Sequence, residues 1–140
     1  MKKAVFLAFV LALLSSALFL WVADPLRLQM VYASPYTDIS VTTAHDMVTN
    51  GSYPNLVVLD VRNKSEYDGG HIYGAVWIPL ANLTSRIGEL SGHKNHEIIV
   101  YCKSGGRSAT ASGILDSNNF TKVHNMQGGI EAWQSHDPPY

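Results

Sequence analysis

Of the side chains in this sequence able to do covalent chemistry, one stands alone. Cys102 is the only cysteine in 140 residues, and it sits between an apolar run, Ile98-Ile99-Val100-Tyr101, and the turn Lys103-Ser104-Gly105-Gly106. Arg107 and Ser108 follow and open a helix-like stretch. Residues 103–108 carry six backbone N–H groups, none of them on proline. The two glycines permit positive φ, so several of those N–H groups can turn toward one point. A helix beginning just beyond adds unpaired N–H groups and the positive end of its dipole. A thiol in such surroundings is acidified from about 8.5 to roughly 3.5–7.5, and the thiolate is the nucleophile. Cys102 is therefore expected to be a nucleophile at neutral pH, and its product an anion.

The elements that must hold this turn can be read from periodicity. Leu56-Val57-Val58-Leu59 and Ile98-Ile99-Val100-Tyr101 are short continuous apolar runs, the pattern of strands buried on both faces. Ala75-Val76-Trp77-Ile78 predicts a further strand ended by Pro79, Lys122-Val123-His124-Asn125 a short last one, and Thr37-Asp38-Ile39 an extended piece. Between them, Thr42 or Thr43 is expected to cap a helix through Val48, with a stop at Asn50-Gly51. A single helical turn is expected near Ser65-Glu66-Tyr67. Leu83, Ile87 and Leu90 predict an amphipathic helix over 82–90 capped by Asn82. The helix after the cysteine turn should run to about Leu115 and break at Asn118-Asn119, and Gly128-Gly129 should turn into a final helix carrying Trp133. Short strands alternating with helices argue for a parallel sheet with helices on both faces, ligands binding beyond the carboxyl ends of the strands. Asp60, Cys102 and the Gly128-Gly129 turn would all lie at that edge.

Cys102-Lys103-Ser104-Gly105-Gly106-Arg107-Ser108 resembles the active-site loop of the rhodanese-type sulfurtransferases, Cys-x-x-Gly-x-Arg-Ser/Thr. Upstream, Leu59-Asp60-Val61-Arg62 with Glu66-Tyr67, then Gly70-His71-Ile72-Tyr73-Gly74-Ala75 and Ile78-Pro79, is similar to that family's first signature. Val123 with Met126-Gln127-Gly128-Gly129-Ile130 and Trp133 resembles its closing one. The resemblance covers roughly residues 37–140 and implies a five-stranded, mostly parallel rhodanese-like α/β domain. It implies sulfur transfer in two halves. Cys102 takes a sulfane sulfur from thiosulfate or a similar small sulfur-containing anion, and the persulfide yields it to cyanide or a thiol. No cofactor is expected. From Cys102 to Arg107 the loop has six residues; related phosphatases and arsenate reductases resemble it with seven, since a tetrahedral oxyanion needs a wider cradle.

The remaining loop residues admit two roles each. Lys103 is expected to attract an anionic donor at the loop mouth. Arg107 either bridges loop carbonyls or meets the donor's oxygens. Ser104 and Ser108 either donate to the sulfur or cap the helix, with capping the expected role of Ser108. Asp60, Arg62 and Glu66 are read as one structural ion-pair set bracing the second strand's exit, and His71 as a packed, hydrogen-bonded residue rather than a base. His93 and His96 lie three apart, but nothing supplies further ligands at metal-site spacing, so no metal is expected. The competing function is a non-catalytic or redox-sensing interaction module built on a free thiol.

Ahead of all this, Lys2 and Lys3 precede twenty uncharged residues, 4–23, with Asp24 after them. That length is about 30 Å of helix, enough to span a bilayer, and the charge order predicts an exported remainder. Residues 1–33 are thus expected to be a signal peptide, cleaved after Ala33 or near Ala17, or a retained membrane anchor with its connector; 34–140 is the domain, periplasmic, extracellular or anchored facing outside. Residues 34–140 hold seven Lys and Arg against ten Asp and Glu, a balance that gives no support for nucleic-acid binding. An unpaired cysteine in an exported domain is either an intermolecular link or a reactive thiol.

Overall fold

The computed structural model describes residues 35–136. The apolar segment 4–23 and its connector, with the export and anchoring expectations attached to them, lie outside the described residues, as do residues 137–140. Among the described residues no helix is long and apolar enough to cross a membrane.

The chain runs β1 (Thr37–Ile39), α1 (Val41–Thr49), β2 (Val57–Asp60), α2 (Lys64–Asp68), β3 (Val76–Trp77) and α3 (Leu80–Arg86), then 3-10 turns over Ile87–His93. It continues with β4 (Ile98–Tyr101), α4 (Gly106–Ser117), β5 (Val123–Met126) and α5 (Gly129–His136). The five strands form one sheet in the order β1-β5-β4-β2-β3, and each neighbouring pair is parallel. Every residue of β2 and β4 is buried, which is what their unbroken apolar runs require.

Alternation along the strands sorts side chains onto two cores. Val57, Leu59, Ile98, Val100, Cys102 and Val123 pack on one face with Leu83 of α3, Leu90, and Ala111 and Leu115 of α4. Val58, Ile99, Tyr101 and Met126 pack on the other with Ala44 and Met47 of α1, and Ile130 and Trp133 of α5. The expected parallel sheet with helices on both faces is therefore present.

Two helix starts differ from the sequence reading. The cap of α1 is Ser40, not Thr42 or Thr43: its backbone is extended and its Oγ accepts from Thr43 N–H at 3.1 Å. The helix expected over 82–90 starts earlier, at Leu80, because Pro79 already holds the φ of a helix entrance and has no N–H to leave unpaired. Asn82 lies inside it. Its second half tightens to 3-10 turns where Gly88 and Gly92 weaken the α-helix.

Candidate active site

Cys102 stands one residue past β4, at the carboxyl edge of the sheet, with Asp60 ending the neighbouring strand in register with Tyr101. The turn after it is shaped from two sides. Gly105 has φ 112°, a conformation closed to most L side chains, and it is the residue from which α4 starts. On the other side, the first N–H groups of α5 reach into the turn: Ile130 donates to the Cys102 carbonyl at 2.9 Å and Glu131 to the Lys103 carbonyl at 3.2 Å. In a trans peptide the N–H points opposite the C=O. Drawing those two carbonyls toward α5 therefore turns the Lys103 and Ser104 N–H groups the other way. The close approach demands Gly129, at φ 58°: a Cβ there would stand 2.5 Å from the Cys102 carbonyl oxygen.

The sulfur receives Gly105 N–H at 3.1 Å, and the Ser108 hydroxyl lies 3.5 Å away. Burial pushes the thiol's pKa up. The Ser108 hydroxyl and the N–H groups of Ser108, Gly105 and Ser104 together outweigh it and hold the thiol below its ordinary value. The cysteine is only 1% exposed, while Lys103, Ser104 and Gly106 around it are open to solvent. Thus the turn expected from the sequence is closed around its sulfur, and the sulfur lies deeper than an open loop would put it.

Several expected roles change. Ser108 does not cap α4; it is the third residue of the helix, fully buried, and of its two expected roles its hydroxyl takes the one toward the sulfur, with Asn125 Oδ1 at 2.6 Å and the Gly105 carbonyl at 3.0 Å also in reach. Among the described residues Arg107 bridges no loop carbonyl, though the Cys102 sulfur acts on it by charge and hydrogen bond. Its guanidinium makes a bidentate pair with Glu66 of α2, at 2.7 and 2.8 Å. Glu66 also accepts from Asn63 N–H at 3.1 Å; its hydrogen bonds thus go outside the expected set, while Arg62 still acts on it by charge. Arg107's hydrogen bonds hold its carboxyl down at about 2, against an opposing push from burial. Lys103 is not an isolated cation at the loop mouth: Glu131 of α5 lies 3.5 Å from its Nζ, both side chains largely exposed.

The bracing role does hold for Asp60 and Arg62. Asp60 is fully buried and accepts from Arg62 N–H, Nε and Nη2, while Nη2 also donates to the Gly70 carbonyl at 2.7 Å. Arg62 therefore ties the end of β2 to the loop before β3 and lies over the Tyr101 ring, 5.5 Å from its centroid. His71 is packed as expected, stacked on Tyr67 at 3.8 Å with Nδ1 2.9 Å from the Tyr67 carbonyl. His93 and His96 face each other, Nδ1 to Nδ1 at 3.1 Å.

The sequence reading missed Asn125 and Asp38. Asn125 is 4% exposed on β5 and donates from Nδ2 to Asp38 Oδ1 at 2.8 Å, the two being register partners on adjacent strands. One signal was present: an asparagine two residues after Val123 falls on the core face of a strand, where a polar side chain needs partners.

The comparisons with known proteins agree on the fold. Residues 40–136 match the family model described as Rhodanese-like domain. The chain is 34% identical over 113 residues to thiosulfate sulfurtransferase 16, chloroplastic, of Arabidopsis thaliana, covering 74% of this chain and 91% of that protein. It is 32% identical over 104 residues to the uncharacterized protein YqhL of Bacillus subtilis, covering 74% and 81% of the two chains. Among solved structures, the solution structure of a rhodanese-like domain from Anabaena sp. superposes with TM-score 0.65 at 31% identity, covering 75% of this chain and 76% of that one.

Proposed function

The chain belongs to the rhodanese-like domain family, and from that premise we propose that it is a sulfurtransferase carrying sulfane sulfur on Cys102. The Cys102 thiolate attacks the outer sulfur of thiosulfate or a similar donor; the S–S bond of the donor breaks and sulfite leaves with the electron pair. The product is a cysteine persulfide whose negative charge sits on the outer sulfur. Cyanide or a thiolate then attacks that sulfur, forming thiocyanate or a new persulfide and returning the Cys102 thiolate. No proton has to be removed in either half if the sulfur starts ionised, so no general base is needed.

The observation that carries this reading is the set of N–H groups around the sulfur, held inward by the bonds from α5 to the turn's carbonyls. Such preorganised donors stabilise charge on sulfur as an oxyanion hole stabilises it on oxygen. The names of relatives such as the Arabidopsis sulfurtransferase support the same class of reaction. The two basic residues of the turn are each paired with a carboxylate, so attraction of a dianionic donor rests more on amides than on net charge. With the apolar segment 4–23 ahead of it, the domain is proposed to work outside the cytoplasm; fractionation of the full chain tests that.

The deciding experiment is intact-mass measurement after treatment with thiosulfate. The expected result is a gain of one sulfur atom that cyanide removes as thiocyanate, and that Cys102→Ser abolishes while keeping the fold. The 1% exposure of Cys102 favours a second reading, a non-catalytic interaction module, over the redox-sensing variant of it, which needs an accessible thiol. A folded protein that gains no sulfur from thiosulfate or from low-molecular-weight persulfides would establish that one instead.

A further inference from the structure

The Ser108 hydroxyl has one proton and three acceptors within reach: Asn125 Oδ1 at 2.6 Å, the Gly105 carbonyl at 3.0 Å and the Cys102 sulfur at 3.5 Å. Which acceptor holds it depends on what lies behind Asn125. An amide presents an oxygen on one side and NH2 on the other, and a carboxylate can only accept. Asp38 Oδ1, 2.8 Å from Asn125 Nδ2, therefore fixes the amide with its oxygen toward Ser108. The arrangement follows from sheet register. Asp38, Asn125 and Val100 are neighbours across three strands, and Cys102, two residues past Val100, projects to the same face, where α4 brings Ser108.

We propose that Asn125, oriented by Asp38, is a positioning residue that competes with the Cys102 sulfur for the Ser108 hydroxyl proton. This rests on the reading of Cys102 as the reacting atom. With the sulfur protonated, the nearer and polarised amide oxygen takes the hydroxyl proton. With the sulfur ionised, a full negative charge draws the hydroxyl round to itself, and Asn125 loses that bond. Once the cysteine carries an extra sulfur, the charge has moved to the outer atom and the inner sulfur is a poor acceptor. The proton then returns to Asn125. Asn125 thus opposes ionisation of the resting thiol, and it stabilises the loaded state in which Ser108 has no anion to serve. The other charged groups around the sulfur are Arg107 with its partner Glu66, and Lys103 with Glu131. Arg107 acts on the sulfur directly, by charge and by hydrogen bond, and it is unchanged in every variant of the test, so it does not distinguish one midpoint from another.

The test is the pH profile of Cys102 alkylation by iodoacetamide, checked by thiolate absorbance in the ultraviolet. Neither readout needs a sulfur donor, so it stands or falls separately from the sulfurtransferase reading. Asn125→Ala is expected to lower the midpoint by about half a pH unit or more, since a hydrogen bond to the charged form favours it. Ser108→Ala is expected to raise it. In the Ser108→Ala background, Asn125→Ala should have no effect, because its influence passes through the hydroxyl. Asn125 is buried, so Asp38→Ala at the exposed edge strand provides a second arm; it frees the amide to flip and should lower the midpoint by a smaller step, again only while Ser108 is present. An unchanged or raised midpoint in Asn125→Ala overturns the proposal. So does an equal shift with and without Ser108 in either arm, which would mean a direct field effect instead.

Discussion

At the scale of single residues, the chemistry depends on a contest at one sulfur. Burial of Cys102 opposes ionisation, and the Ser108 hydroxyl with the N–H groups of Ser108, Gly105 and Ser104 overcomes it. Reactivity should therefore rise with pH through a midpoint below the usual cysteine value and be flat above it. The neighbouring cation is governed by another contest. Lys103 and Glu131 form an exposed pair, of a kind that contributes between nothing and about 1 kcal/mol to stability. Its effect on an anionic donor is larger than its effect on folding, because Glu131 cancels a positive charge at the loop mouth. Glu131→Gln is expected to lower the KM for thiosulfate roughly twofold to threefold at low ionic strength, with the difference vanishing in high salt as screening shortens the field. Steady-state thiocyanate formation at two salt concentrations measures it; an unchanged KM at low salt would mean that Lys103 does not meet the donor.

Elements set the shape of the turn. The N-terminus of α5 fastens the carbonyls of Cys102 and Lys103, and it can do so only because residue 129 has no Cβ. Gly129→Ala puts a methyl group against two backbone carbonyls at a positive φ, and neither the β4 exit nor α5 can yield without losing those bonds. The expected cost is about 2–4 kcal/mol in urea unfolding, together with a raised alkylation midpoint as the turn opens. A loss of stability with an unmoved midpoint would separate the turn's shape from the acidity of its sulfur. One turn further along α4 than Ser108, Ser112 is fully buried, and its hydroxyl has no hydrogen-bond partner among the described residues. Ser112→Ala removes that burden without opening a cavity of any size, so it should stabilise the domain by about 1 kcal/mol without changing thiol reactivity.

On the scale of the whole molecule, the sheet gathers residues far apart in sequence onto its carboxyl edge, and the pair between Glu66 and Arg107, 41 residues apart, joins α2 to the cysteine turn. Glu66 is held at about 2 in the folded chain, below the ordinary carboxyl range. A depressed carboxyl contributes stability that is fully present above its unfolded value and is lost as pH falls toward the folded one. Between about pH 5 and pH 2 this contribution should therefore disappear. Each partner is about a third exposed, and solvent screening limits the effect to about 1 kcal/mol. Glu66→Gln should lower stability by that amount at pH 7 and match the parent near pH 2. Parallel urea titrations at the two pH values show whether the gap closes; a gap that persists in acid would assign it to lost packing instead.

The elements and their order were legible because each strand announces itself locally. Four-residue apolar runs at 56–59 and 98–101, short and rich in β-branched residues, fit strands of a sheet covered on both faces, and Gly128-Gly129 favours a turn after the last strand. The single thiol and its glycine turn were legible for the same reason: a backbone that must bend toward one atom needs residues without Cβ. Partners were not legible, because pairing depends on distances that only folding creates. The sequence spaces Arg107 and Glu66 as strangers and sets Asp60, Arg62 and Glu66 together, yet Asp60 bonds to Arg62 while Glu66 bonds to Arg107 of α4. Nothing local chooses for Ser108 between donating to the sulfur and capping the helix, or marks Asp38 as a neighbour of Asn125; the register of β1 on β5 and the seat of α4 on the sheet decide both. Local physics chose the strands, the turn and the nucleophile, and tertiary packing chose which polar groups surround it, since a hydrogen bond needs its partner at 3 Å whatever their separation along the chain.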